Sequence, residues 1–128
     1  MTLFVIPDDF EWLPPWQPLR DESLHMEMGR AISQLAKGEG VADSLAAELL
    51  REMAEGHKLH GLSLRAVAYC QADPNEFVFV TNDPKQPIAC VHLTWERESD
   101  PLWPYTYSYT SLSEWAIQMR SEHDGWNA

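Results

Sequence analysis

The sequence predicts an α+β fold: a single domain in which an N-terminal strap and an αα-hairpin pack on a four-stranded, mainly antiparallel sheet, with a closing C-terminal helix. Three observations carry this expectation. Apolar residues recur at helical spacing in the first half of the chain, at Leu24, Met28, Ile32 and Leu35 and again at Leu45, Leu49 and Met53. The second half changes to short runs rich in β-branched and aromatic residues, at 62–71, 77–81, 88–95 and 105–109, with turn residues between most of them. After the last run, Ser111-Leu112-Ser113-Glu114 matches a helix capping box and leads into W-A-I-Q-M.

Residues 1–20 form the strap. Thr2 to Ile6 suits a short strand ended by Pro7. Asp8 to Pro18 sets Phe10, Trp12 and Trp16 among Pro14, Pro15 and Pro18. Those prolines forbid a helix interior or a central strand, so the segment is extended and its aromatics pack down on the domain. The sharper alternative is an aromatic arm that grips a partner.

Residues 21–55 form the helical hairpin. Asp21 and Glu22 suit the positive end of its first helix, and Lys37 the negative end. Gly38-Glu39-Gly40 makes a short connection, which sets the two helices antiparallel. The second helix runs from Val41 or Asp43 to Glu55, with Gly56 as its stop. Gly56 to Gly61 is a glycine-bracketed loop.

Residues 62–110 form the sheet. Leu62–Gln71, Phe77–Thr81 and Ile88–Trp95 are separated by turns at Asp73-Pro74-Asn75 and Asn82–Pro87, which predicts an antiparallel meander. Ile88–Trp95 holds no Gly or Pro and reads as a strand at the sheet's centre. Glu96–Pro104 is a charged loop. Tyr105–Tyr109 alternates tyrosine with small hydroxyl residues and reads as a fourth strand with a tyrosine face. Residues 111–121 form the closing helix, and Asp124-Gly125 frees the tail.

Size and composition fit one globular domain: 128 residues, 45% hydrophobic and 23% charged. A formal net charge of −11 repels phosphate backbones and anionic lipids, which disfavours nucleic-acid and membrane-surface binding. The same charge suits a basic protein partner, or serves solubility alone. Six tryptophans in this length place some at the rim of the core or on a contact surface. No apolar run approaches the ~18 residues that span a bilayer, and the start lacks a charged, apolar leader, so a cytoplasmic location is expected. Cys70 and Cys90 lie in strand-like runs and read as small core residues; a disulfide between them is the less favoured alternative.

Chemistry-bearing motifs are few. The sequence has no glycine-rich phosphate loop, H-E-x-x-H, G-x-S-x-G or C-x-x-C, and no cofactor is expected. His57, His60 and His92 are weak candidates for a metal site or a small metal-dependent hydrolase, because imidazole is a common ligand but H-x-x-H on a loop does not fix ring direction. The bland reading is that His57 and His60 bond the turn and His92 is a satisfied sheet residue. A thiol nucleophile needs nearby cations or a helix N-terminus, and Cys70 and Cys90 sit in strands of an acidic protein.

The strongest surface signal is Trp95 to Pro104. If the strand extended, Glu96, Glu98 and Asp100 would share one face, bracketed by Trp95 and Trp103. With Tyr105 and Tyr107 beyond, this makes a candidate partner-binding patch in which aromatics anchor and carboxylates steer. Paired carboxylates also suit acid–base work, but nothing in the sequence fixes their separation. A solvated loop is the bland alternative.

The pattern carried by Gly56, His57, Leu59 and Gly61, then Val91, His92, Leu93, Thr94, Trp95 and Glu96, then Trp103 and Pro104, resembles a group of small bacterial proteins. The resemblance implies a bacterial origin and brings no activity or site with it. Three functions stand: an acidic interaction protein, such as an immunity protein or inhibitor of a basic toxin; a small hydrolase or metal-dependent enzyme built on the three histidines; or a structural domain that forms homodimers.

Overall fold

The computed structural model describes residues 3–19 and 41–126. Within them the fold is α+β, with a five-stranded antiparallel sheet and two helices. The strands are β1 (Trp16–Pro18), β2 (Leu64–Cys70), β3 (Asp73–Thr81), β4 (Ile88–His92) and β5 (Tyr105–Tyr109). They lie in the order β1-β2-β3-β4-β5, so every strand pairs with its neighbour in sequence. Helix α1 spans Val41–Glu52 and helix α2 spans Leu112–Trp126. The expected helix at 21–37 lies outside the described residues. No described helix is long and apolar enough to cross a membrane.

Both faces of β3 and β4 are covered over Phe77–Val80 and Ile88–Val91, which explains their unbroken apolar runs. Phe77 and Phe79 on β3, with Ala89 and Val91 on β4, pack against Leu45, Leu49 and Met53 of the α1 stripe. The alternate residues Val78, Val80, Ile88 and Cys90 face the other way, toward Trp16, Trp115 and Met119. In β2 the faces switch: Ala66 packs with the α1 layer and Ala68 with the opposite one. Residues two apart normally share a face; the register shift between Ala66 and Ala68 supplies the extra residue that flips them.

The second layer is built from the strap and α2. Trp115 is fully buried and meets Trp12 and Trp16 edge-on, at ring distances of 5.1 and 5.8 Å. Phe10 stacks edge-on against Trp12 at 4.9 Å. The strap is therefore docked, and the arm reading fails. Ser111 caps α2 as expected, its Oγ accepting the Glu114 N–H at 3.0 Å. The Glu114 carboxylate turns instead to the Thr110 hydroxyl at 2.6 Å.

The sheet has five strands rather than four because the strap contributes an edge strand, with Trp16 opposite Cys70. That position tolerates Pro18, as an edge strand has ladder bonds on one side only. Residues 3–7 are not a strand; one bond, Phe4 N–H to the Thr81 carbonyl at 3.0 Å, ties them down. Asp73-Pro74-Asn75 belongs to β3, and the turn falls at Gln71-Ala72. Helix α1 stops at Glu52 rather than Glu55, and a turn ends with Gly56 at φ +99°. Helix α2 continues through Asp124 and Gly125.

Ile88–Trp95 is not the centre of the sheet: β3 holds that place, β4 lies between β3 and β5, and only Ile88–His92 is strand, with Ile88–Val91 buried. Trp95 adopts φ +61°, a left-handed conformation that turns the chain off the sheet. Glu52, at the end of α1, holds that turn. Its Oε1 accepts the Thr94 N–H at 2.8 Å and hydroxyl at 3.0 Å, and its Oε2 accepts the Trp95 N–H at 3.0 Å.

Candidate functional site

Three features lie on the face of the sheet that carries Cys90 and Tyr109. The first is a ladder of rings. Alternation along β5 sends Tyr105 and Tyr107 to one face, and Trp103 precedes them in line. Trp103 and Tyr105 lie 5.7 Å apart and Tyr105 and Tyr107 5.1 Å apart, centre to centre. All three are open to solvent, at 41%, 45% and 56% exposure, whereas Tyr109 beside α2 is buried. Among the described residues β5 is one of the two edge strands of the sheet.

The second is a cavity of about 440 Å³ inside the ladder, between Tyr107 and Tyr109 on one side and Pro15 and Trp16 on the other. Cys70, Cys90 and Met119 line it, with Asp73 and Glu76. Neither cysteine is in a disulfide, and both are buried. They sit on β2 and β4 with β3 between, which separates their backbones by about 10 Å or more. A disulfide cannot close that span. Burial pushes the Cys70 thiol up from its ordinary value, the reverse of what a nucleophile needs.

The third is an imidazole–carboxylate cluster. His92 Nδ1 lies 2.8 Å from Glu76 Oε1 and 3.8 Å from Asp73 Oδ2. Neither carboxylate stood out in the sequence. Glu76 and His92 meet only through the β3–β4 register, which places them directly opposite.

The expected histidine trio does not come together. Among the described residues the one group of potential ligands that converges is Asp73, Glu76 and His92. His57 is buried and uses both ring nitrogens: Nδ1 accepts the Leu59 N–H at 3.1 Å, and Nε2–H donates to the Pro104 carbonyl at 2.9 Å. Those two bonds fix the neutral tautomer. Burial, the larger cause, and the nearby Lys58 lower its pKa. His57 thus ties the glycine-bracketed loop to the start of β5, while His60 is exposed.

The expected patch is divided as well. Trp95 is partly buried on the α1 side, edge-on to Phe77 at 6.5 Å, and donates its indole N–H to Asn75 Oδ1 at 2.8 Å. It therefore lies on the sheet face opposite Tyr107. Glu96, Glu98 and Asp100 follow the left-handed turn and share no strand face. Glu96 and Asp100 are exposed. Glu98 is half-buried, and its N–H donates to the Glu52 carbonyl at 3.0 Å. Asp100 Oδ1 accepts the Leu102 N–H at 2.9 Å, shaping the turn that delivers Trp103.

No family model matches the chain, and neither curated proteins nor solved structures provide a match.

Proposed function

We propose that this domain is an acidic protein-interaction module that binds a basic protein, in the manner of an immunity protein or an inhibitor of a basic toxin. The observation that supports it is the exposed ladder Trp103–Tyr105–Tyr107 on edge strand β5. Tyr and Trp give large, stiff contact area at low entropic cost, and such rings dominate binding energy where they cluster. The loop that leads into Trp103 carries two exposed carboxylates, Glu96 and Asp100, and Asp100 shapes the turn that delivers Trp103. With a net charge of −11, long-range attraction favours a basic surface and sets its approach.

The test compares immobilised wild type with the Tyr105→Ala/Tyr107→Ala and Glu96→Lys/Asp100→Lys double variants, using bacterial lysate as the source of partners. Support is one basic protein that wild type retains, that both variants lose, and that raised salt releases. Retention by both variants, or a retained protein that is not basic, overturns the reading. The same edge strand also favours a second copy as partner. A dimer in sedimentation that the tyrosine variant dissociates would place self-association first.

A further inference from the structure

We propose that Asp73, Glu76 and His92 form a binding site for a first-row divalent metal cation, with zinc the best match, its two carboxylates lining the cavity described above. The donor atoms are already gathered: all three side chains offer a ligand atom within 4.8 Å of the others. One imidazole nitrogen with two carboxylate oxygens is a donor set for zinc and its neighbours rather than for magnesium, which prefers an all-oxygen shell with retained water.

The spacing fits as well. Tetrahedral ligands at zinc distances stand about 3.3 Å from one another. His92 Nδ1 stands 2.8 Å from Glu76 Oε1, a hydrogen bond whose proton a bound ion would replace, and 3.8 Å from Asp73 Oδ2, so the pair must open slightly and Asp73 close slightly to reach that value. Side-chain adjustments of about half an ångström admit the ion.

The Asp73 carboxylate is held in place. Its Oδ1 accepts the Asn75 N–H at 2.9 Å, and Asn75 Oδ1 in turn accepts the Trp95 indole N–H at 2.8 Å. This chain leaves Oδ2 facing His92, which is how an outer shell orients a ligand before the ion arrives.

Charge points the same way. Two carboxylates face the site within a chain of net charge −11, and a dication offsets them. Three protein ligands leave a coordination position open, as in zinc sites that also hold water or a small ligand. Asp73 and Glu76 line the 440 Å³ cavity, so space for such a ligand adjoins the ion.

The experiment uses tag-free protein, stripped with EDTA and dialysed, titrated calorimetrically with ZnCl₂ and in parallel with MgCl₂. One zinc per chain is expected, bound more tightly than magnesium. His92→Gln and Asp73→Asn should each weaken zinc binding by about tenfold or more. His60→Gln, which changes a histidine outside the cluster, should leave it unchanged. Circular dichroism in EDTA shows whether each variant is folded; if His92→Gln is not, the near-isosteric Asp73→Asn carries the comparison. No saturable zinc binding by wild type, affinities that His92→Gln and Asp73→Asn leave unchanged, or an equal loss in His60→Gln overturns the site.

Discussion

Replacing Glu52 by Gln should destabilise the protein at pH 5 and lose that effect by pH 8. Glu52 is fully buried, and its carboxyl accepts three hydrogen bonds from Thr94 and Trp95. Burial, then a hydrogen bond to Glu48, pushes its pKa from 4.5 up to about 8. Glu48 is in turn gripped by Arg51, with Nε at 3.0 Å and Nη2 at 2.7 Å. The folded protein thus keeps a proton here that the unfolded chain releases. The stability this gives is fully present below the unfolded value of 4.5 and is lost as the pH rises through about 8. Over that window the loss amounts to a few kcal/mol. The glutamine cannot titrate. Its amide NH₂ faces the Trp95 N–H, donor against donor, at a cost of about 1–2 kcal/mol. At pH 5 the variant should therefore melt about 4–8 °C below wild type. By pH 8 wild type has lost its proton-linked stability, and the two melting points should meet or cross. His57, whose lowered pKa weakens the fold on the acid side, is present in both proteins and cancels in the difference. Thermal melts of both proteins across pH 5 to 8 read the effect. A constant gap over that range would refute a proton held at Glu52.

Other expectations follow from the same contacts. His57→Ala removes bonds to Leu59 N–H and the Pro104 carbonyl, both in the interior, and should cost about 2–4 kcal/mol in urea unfolding. In wild type the contribution of His57 is full above its ordinary pKa of 6.5 and is lost as the pH falls through its lowered folded value; His57→Ala should flatten that acid limb. Trp115→Ala empties the centre of the strap-side core and should cost about 3–5 kcal/mol, read as a lower urea midpoint.

Much of the framework is legible in the residues. Phe77–Thr81 and Ile88–His92 are apolar on both faces because layers cover both sides, and no helical spacing competes with that reading. Leu45, Leu49 and Met53 recur as one turn-by-turn stripe, and Ser111 is a cap whose partner is local. Features set by distant partners are not legible. Trp16–Pro18 is a strand only because Ala68–Cys70 lies beside it. Trp95 leaves the sheet because Glu52, far back in the chain, captures its N–H. Asp-Pro-Asn is turn chemistry, yet Asp73 pairs with Cys70 and begins β3. Of the candidate site, the alternation of Tyr105 and Tyr107 could be read directly. The cluster of Asp73, Glu76 and His92 could not, since it exists only once two strands are in register. The H-x-x-H spacing pointed elsewhere because ring direction on a loop is set by local bonds such as those of His57.

The two margins of the sheet are unlike. One is a three-residue strand that finishes in proline; the other is the five-residue β5. If two copies joined margin to margin through β5, the longer of the two edges among the described residues, a twofold axis would close the pair.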